Sequence, residues 1–348
     1  MFPLVFPLAF ARPFFRSCAP AAAFAVALVC AVAGTAGAAG SAGAAAPLPP
    51  PVVSESWTYN PSSAEGKSYF HPLVIPGDPK REAFTSFRPA DHKWHLGLWF
   101  SWKFINKVNF WEPDKRAKIR TLTSSQSGAK AAGAGATDTF VSEIVYEASG
   151  AEVVRERRRV VVSTAPNGNY TIRWDAAFTA VAEKVVLDRT KPGKSRRTGN
   201  WESGGYAGLN LRFADEPAFR YTFASDNGLQ NAAICGNSAG AVIVEIAGKN
   251  GARATLTFRD LSDQATGEAA DKNGTVGGAA GGAKFPAGFA WPPKWFVRHQ
   301  PGAQRGRGYY VLGSAPVFDA PLTLARGETL RLRYEIAVER LPNKPPLM

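Results

Sequence analysis

The stretch Tyr170-Thr171-Ile172-Arg173-Trp174-Asp175-Ala176-Ala177-Phe178 decides the fold class, because large apolar residues recur at its alternate positions. The stretch Leu330-Arg331-Leu332-Arg333-Tyr334-Glu335-Ile336-Ala337-Val338 repeats this pattern near the end of the chain. Successive side chains of a strand point to opposite faces of a sheet, so a period of two is typical of strands with one buried face. Both stretches are therefore predicted to be half-buried strands.

Shorter β-rich runs occupy most of the chain between these two stretches. Turn-forming pairs such as Asn167-Gly168 and Asn227-Gly228 separate them, and no sustained helical stripe follows Pro51. Many short strands in one chain favour an all-β fold. We expect a two-sheet antiparallel β-sandwich, jelly-roll or supersandwich-like, in a single domain. The runs are 140–146, 153–162, 209–213, 241–246, 254–258 and 309–311.

Three stretches are predicted to be long surface loops. They are residues 125–137, 189–199 and 271–288, and the last is very rich in glycine. None is predicted to be a hinge between domains, because the strand pattern resumes after each of them.

The first residues have the layout of a secretory signal peptide, with Arg12 and Arg16 before an apolar run and Ala36-Gly37-Ala38 after it. We expect residues 1–38 to be removed, 39–51 to be an Ala/Gly/Pro-rich spacer and 52–343 to be the folded domain. Export to the periplasm or medium follows. Lipidation at Cys30 is the alternative, although Ala27-Leu28-Val29 lacks the expected small residue beside the cysteine.

Removal of the signal peptide leaves Cys235 as the one remaining cysteine, so the core must stabilise the protein without an intramolecular disulfide. The chain has 41 Lys and Arg against 28 Asp and Glu, a net charge of +13. For an exported protein this charge indicates a solvated basic surface or an acidic polysaccharide or envelope partner rather than nucleic acid. We also expect no integral membrane segment in the mature chain.

The four histidines fall in aromatic-rich stretches, and His92 and His95 share the stretch 91–102. Imidazole is suited to proton transfer and metal ligation near neutral pH. Side chains three residues apart converge in a turn but point to opposite faces in a strand. We predict a site in which His92 and His95 act as acid/base or ligand, with Asp91, Glu112 and His71 as partners; the alternative is that both satisfy local backbone groups.

Four of the nine tryptophans lie within eighteen residues, at positions 94, 99, 102 and 111. Exposed indoles stack well on flat apolar faces such as those of sugar rings. Trp94, between the histidines, is the predicted platform, and Trp111 is included among the predicted substrate-binding residues. Trp99 and Trp102 are expected to pack in the core.

Two further stretches supply candidate residues. In 200–206, Glu202 is a second candidate for proton transfer and Tyr206 for substrate binding, although Gly-Gly-Tyr also begins ordinary strands. In 291–299, Arg298 is predicted to anchor a carboxylate or hydroxyls, with a structural salt bridge as the alternative, and His299 is a substrate-binding candidate.

A divalent metal is a further alternative, in which His71, His92 and His95 would be the ligands. Catalytic zinc needs three protein ligands and an open position, and the sequence has no HExxH or CxxC that would supply them locally. Tertiary structure would have to assemble such a site. The sequence also lacks a GxSxG elbow, a phosphate loop and a dinucleotide fingerprint.

Several motifs together resemble the bacterial PmoA-like family, labelled methane oxygenase PmoA, over residues 68–341. The most specific is the DHxWHxGL pattern of Asp91–Leu98 followed by Asn109-Phe110-Trp111. The others are Tyr69-Phe70-His71-Pro72, Glu202-Ser203-Gly204-Gly205-Tyr206 and Lys294-Trp295-Phe296-Val297-Arg298. Trp291 stands where the family usually has a histidine, so His299 replaces it in space or its role is absent.

A membrane monooxygenase subunit needs several spanning helices, which this chain lacks, so its label does not predict the chemistry. The resemblance implies a sugar-related role instead. We expect an exported protein that binds carbohydrate and acts on it as a hydrolase, lyase or epimerase. The alternatives are a non-catalytic carbohydrate-binding or envelope protein and a metal-dependent oxidoreductase.

Overall fold

The two alternating stretches around Trp174 and Tyr334 form neighbouring antiparallel strands, with Tyr170 opposite Val338 and Phe178 opposite Leu330. The structure, a computed structural model, describes residues 48–128, 135–196, 199–215, 218–264, 285–304 and 307–342. The predicted signal peptide, most of the spacer and most of the Gly-rich stretch 271–288 lie outside these ranges. The described residues all belong to one compact unit.

The strands of the described residues are numbered in chain order. They are β1 (Val52–Val53), β2 (Trp57–Asn60), β3 (Tyr69–Leu73), β4 (Leu98–Ser101), β5 (Phe104–Ile105), β6 (Val108–Asn109), β7 (Ala117–Gly128), β8 (Thr137–Ala148), β9 (Ala151–Thr164), β10 (Tyr170–Ala180), β11 (Lys184–Asp188), β12 (Gly193–Lys194), β13 (Trp201–Ser203), β14 (Gly208–Arg212), β15 (Phe219–Ser225), β16 (Ala241–Gly248), β17 (Arg253–Asp260), β18 (Lys294–Gln304), β19 (Arg307–Ala315), β20 (Leu322–Ala325) and β21 (Thr329–Leu341). A 3₁₀ helix spans Asn231–Ile234.

Two large antiparallel sheets enclose the core. One has seven strands in the order β1-β2-β3-β4-β14-β19-β18, and the other has eight in the order β15-β16-β17-β21-β10-β9-β8-β7. Ring contacts join the two sheets, including Phe100 with Phe178 at 4.9 Å and Trp295 with Phe258 at 5.0 Å. The predicted all-β sandwich is confirmed. A four-stranded sheet, β20-β11-β5-β6, and the pair β12-β13 complete the fold.

The alternation in β10 explains why this strand lies near the centre of its sheet. Ile172, Trp174 and Phe178 have no exposed surface, whereas Arg173 between them is exposed. Full burial of one large apolar side chain stabilises a fold by about 1.5–3 kcal/mol. Because a shift of register by one residue would expose all of these side chains, the apolar pattern fixes the pairing of β10 with β9 and β21.

The predicted surface loops differ in part from the structure. The loop expected at 125–137 is shorter, because β7 continues to Gly128 and pairs with β8 as far as Asp138. The loop expected at 189–199 contains the short strand β12. Cys235 is buried and free.

Helix is scarce in the part of the chain that the structure describes. No helix found there combines the length and the apolar character needed to cross a membrane.

Candidate functional site

The seven-stranded sheet has one face against the core and one face that supports a separate aromatic cluster. Leu98 and Leu209 join the main core, whereas Trp99, the next residue after Leu98, packs with Leu96 and Trp111. Cross-strand partners share a face of a sheet. The second face, called the outer face here, therefore carries Tyr69, His71, Trp99, Asn210, Arg212, Tyr309, Val311 and Arg298.

A turn over Asp91–His95 brings the paired histidines onto this face. The His92 amide donates to the Pro89 carbonyl at 3.0 Å, and the His95 amide donates to the His92 carbonyl at 3.0 Å. Their rings stack with centroids 4.7 Å apart and planes at 21°. Gly97 follows at φ 77°, where a Cβ would collide with the Phe70 carbonyl. The segment is thus a turn before β4, and in a turn side chains three residues apart converge.

Asp91 orients His92 and neutralises a buried arginine. His92 Nδ1 lies 2.8 Å from Asp91 Oδ2, and Arg212 Nη1 lies 3.0 Å from the same oxygen. Because a carboxylate oxygen accepts, the Nδ1 of His92 carries the proton and the Nε2 of a neutral ring is left as the base. Arg212 also pairs with Asp215 at 3.2 Å and stacks over Tyr309.

His95 is the buried member of the pair. Its residue is 2% exposed, and its ring lies between those of His92 and Trp99, 4.9 Å from the latter. Burial holds the pKa of His95 well below its ordinary value of 6.5, and the nearby His92 and Arg212 lower it further. His95 is therefore neutral at physiological pH, whereas the side chain of His92 remains 30% exposed.

Lys67 is a site residue that the sequence reasoning missed. Its ammonium is buried and donates to the Trp111 carbonyl at 2.9 Å, and burial lowers its pKa from 10.5 to about 8. The Trp111 ring is in edge contact with His95 at 6.2 Å. No local signal would have found Lys67, because it lies two residues before β3, where a lysine is usually solvated.

His71 lies on the outer face but is held by other partners. Its Nδ1 is 3.0 Å from the Thr85 hydroxyl, and its ring stacks on Phe87 with centroids 5.4 Å apart. Burial lowers the pKa of His71 to about 4, so its ring is neutral at pH 7. The described contacts do not join His71 to His92 or His95.

Two predicted carboxylates lie apart from the histidines. Glu112 is bound by the Lys103 ammonium and by Asn109 Nδ2 at 2.6 Å, and these partners lower its pKa although burial acts in the opposite sense. Glu202 is exposed in β13. Glu112 forms no described contact with an imidazole, and the roles predicted for Glu112 and Glu202 stay predictions.

The aromatic side chains divide by exposure. Trp94 is half-buried and meets the His92 ring edge-on at 5.3 Å, and Tyr206 is also half-buried. Trp111 is 3% exposed and packs between Trp99 and Tyr206, so it supports the site rather than offering a free ring face. As expected, Trp102 is part of the main core; Trp99 is buried in the smaller cluster.

His299 is separated from the other histidines by the sheet itself. Its Nε2 donates to the Tyr221 carbonyl at 3.0 Å, and its ring contacts Phe223 and Tyr310 in the core. Its neighbour Arg298 points to the outer face and is buried there. His299 therefore does not stand in for a missing histidine at the site.

Of the twelve buried polar side-chain atoms without a hydrogen-bond partner among the described residues, six that also lack an ion pair lie on this face. A buried donor or acceptor that makes no hydrogen bond costs about 1–3 kcal/mol, so such a concentration is typical of a ligand or solvent site. The atoms are Trp94 Nε1, His95 Nδ1, Trp99 Nε1, Asn210 Oδ1, Arg212 Nε and Arg298 Nη2.

The proposed metal ligands do not converge. His92 and His95 stack ring on ring, and His71 is bound to Thr85. Within the described ranges, no three His, Cys, Asp or Glu side chains are placed to hold one metal ion. The residues present do not fit a three-ligand catalytic metal of the kind considered from the sequence.

Comparison with protein families matches residues 54–341 to a family of unknown function, DUF6807. Comparison with curated proteins finds no match. The family match makes no link to PmoA, so that resemblance stays a prediction. The matched residues include the Asp91–His95 turn, Lys67 and Arg298, and the protein belongs to DUF6807, a family of unknown function.

Proposed function

We propose that the outer face binds a carbohydrate or sugar derivative and that His92, oriented by Asp91, exchanges a proton with it. The observation that carries this proposal is the pairing of His92 Nδ1 with Asp91 at 2.8 Å beside a group of buried polar atoms without protein partners. A hydrolase, lyase or epimerase reaction uses such a proton transfer.

The Asp91–His92 pair supports general acid/base chemistry. A neutral imidazole that donates through Nδ1 presents Nε2 as a base, and the protonated ring returns the proton as an acid. The stacked His95 stays neutral because it is buried, so proton exchange is confined to His92. Lys67, with a pKa of about 8, supplies a second ionisable group, and its charge acts on His95.

The mixture of rings and polar atoms supports a sugar as the ligand. Trp94 is half-buried beside the histidines, and an indole face stacks on the C–H face of a pyranose. The unpartnered atoms include indole and guanidinium donors and the Asn210 carbonyl acceptor. Sugar hydroxyls both donate and accept, so they match a mixed set of this kind better than a purely apolar ligand would.

The N-terminal sequence supports an exported location for this activity. A protein that meets polysaccharide outside the cytoplasm needs a secretion signal, and residues 1–38 have that layout. N-terminal sequencing of the protein recovered from the periplasm or medium checks the location. A chain that retains residues 1–38 in the cytoplasm contradicts it.

The function is tested with a panel of oligosaccharides and 3-keto sugars, with binding followed by calorimetry and products by mass spectrometry. We expect one class to be bound and turned over, and His92→Gln to retain binding within a few-fold while turnover falls at least 100-fold. Arg173→Gln, on the eight-stranded sheet, is the control and should keep full turnover. Binding without turnover would support a non-catalytic carbohydrate protein, and the absence of any sugar binding would end the proposal.

A further inference from the structure

One buried arginine differs from the other two in its partners. Among the described residues, Arg158, Arg212 and Arg298 are the buried arginines, with 3%, 0% and 4% exposure. Arg158 pairs with Glu156 at 2.6 Å, and Arg212 pairs with two aspartates. Arg298 has no carboxylate within ion-pair distance in the described part of the chain.

The contacts of Arg298 occupy one end of its guanidinium. Nη1 donates to the Val297 carbonyl at 2.9 Å and lies 3.3 Å from Cys235 Sγ and 3.4 Å from the Trp201 carbonyl. The guanidinium carbon lies 4.4 Å from the centre of the Phe296 ring. Nη2 is buried and has no hydrogen-bond partner among the described residues, so both of its N–H groups remain available.

A buried cation without a counter-charge is costly, and arginine cannot avoid the cost. Lysine can lose its proton when buried, as the pKa of about 8 at Lys67 indicates. A guanidinium stays protonated in proteins, so it needs an anion or several hydrogen-bond acceptors. Nη2 of Arg298 has neither from the protein, which points to a ligand that brings the negative charge.

The position of Arg298 links this charge to the proposed site. Arg298 and Arg212 flank Val311 on the outer face, from the strands on either side of β19. Two interstrand spacings place their backbones about 10 Å apart. Tyr309, on the same face of β19, stacks with the His92 ring at 5.1 Å. A sugar that reaches Arg298 thus lies on the same face as His92.

We propose that Arg298 binds the carboxylate of an acidic sugar and that the substrate is a uronic acid or a saccharide containing one. This inference rests on the proposed function and narrows its substrate class. The two N–H groups of Nη2 diverge, so one can donate to a carboxylate oxygen and the other to a neighbouring acceptor of the same acidic sugar, whereas a phosphate with three oxygens and nearly two charges needs more donors than Nη2 offers.

The test compares glucuronate and galacturonate oligosaccharides with their neutral counterparts and with a sugar phosphate, using calorimetry and thermal unfolding. Wild-type protein should bind a uronate at least 100-fold more tightly than the matched neutral sugar. Arg298→Met should abolish this preference and raise the Tm, because it removes an unpaired buried charge. Arg158→Met, which leaves Glu156 unpaired, is the matched control and should lower the Tm.

The outcomes separate the two proposals. Equal binding of uronate and neutral sugar by the wild type, or an unchanged preference in Arg298→Met, would overturn the carboxylate anchor while the sugar site stands. Tighter binding of the sugar phosphate than of the uronate would also overturn the carboxylate anchor. Uronate binding that depends on Arg298 but shows no turnover supports the anchor and removes the catalytic role of His92. If Arg298→Met does not fold, Arg298→Lys decides, since it keeps a cation but loses the planar guanidinium that places Nη2, and it should weaken uronate binding at least tenfold.

Discussion

His92 and His95 lie ring on ring, with centroids 4.7 Å apart and planes at 21°. Two imidazoles at this distance do not both carry a positive charge, because like charges repel. Burial decides which one stays neutral: His95 is 2% exposed, and its pKa is held well below 6.5. His92, whose side chain is 30% exposed, is therefore the member of the pair to which the proposed function assigns the proton transfer.

Asp91→Asn should remove the control of the His92 tautomer. An asparagine amide can donate to Nδ1, which moves the ring proton to Nε2 and leaves no base toward the ligand. We expect turnover on an identified substrate to fall at least 100-fold while binding changes little. The free energy of unfolding should fall by about 1–3 kcal/mol, because Asp215 would be the one aspartate that still pairs with Arg212.

The matched control is Asp215→Asn, which also removes one carboxylate from Arg212 but does not touch His92. It should lower stability by a similar amount and retain turnover. Steady-state kinetics and denaturant unfolding separate the two effects, and an equal loss of turnover in both variants would contradict the role given to Asp91.

Trp94→Ala should weaken sugar binding about tenfold, because it removes a partly exposed ring beside the histidines. Trp291→Ala removes an indole that is 37% exposed and has no described ring contact with the outer face, so it should leave the affinity unchanged. Calorimetric titration of both variants with the same saccharide provides the measurement. Equal affinities in the two variants would remove Trp94 from the site.

Lys67→Met should change how stability depends on pH. The pKa of Lys67 is about 8 in the folded protein against an ordinary 10.5, so the unfolded chain binds more protons between these values. The contribution of Lys67 to the free energy of unfolding is therefore complete above pH 10.5 and is lost as pH falls through about 8. As pH rises from 8 to 10.5, the free energy of unfolding of the wild type should increase by about 3 kcal/mol relative to that of the variant. Urea unfolding at pH 7.5, 9 and 10.5 measures the difference, and parallel profiles would contradict the buried position of the ammonium.

His299→Gln tests whether this histidine is structural. Its Nε2 donates to the Tyr221 carbonyl in a partly buried hydrogen bond, and the loss of such a bond costs about 0.5–1.5 kcal/mol. We expect lower stability with unchanged ligand affinity at temperatures where the variant is folded. A loss of affinity greater than that of His92→Gln would place His299 in the site after all.

The local sequence predicted the strands well, because a period of two depends only on which face of a strand is buried. Trp174 and Tyr334 are recognisable as core residues of strands without any knowledge of their partners. The turn at Asp91–His95 was one of two conformations open to that stretch, and the hydrogen bonds from His92 and His95 to preceding carbonyls select it. The length of β7 beyond Ser125 was not predictable, since its pairing with β8 depends on cross-strand contacts.

The sequence predicted which histidines lie in the candidate site, but it did not predict which charged residues pair with each other there. Asp91 and His92 are adjacent in sequence, but Arg212, which shares the same carboxylate oxygen, lies 121 positions further on. Lys67 is a lysine before a strand, and such residues are usually solvated. His299 and Arg298 looked equivalent as candidates, yet adjacent strand residues face opposite sides of the sheet.

The sequence by itself determined the all-β class, the strands of the core and the local pairing of Asp91 with His92, because these depend on alternation and on neighbours along the chain. The tertiary structure decided which face of the seven-stranded sheet carries the site. It also decided that Arg212 is neutralised while Arg298 is not, and that His299 serves the core. These outcomes follow from the order and register of strands distant in sequence, which bring charges together or keep them apart only after the sheet has formed.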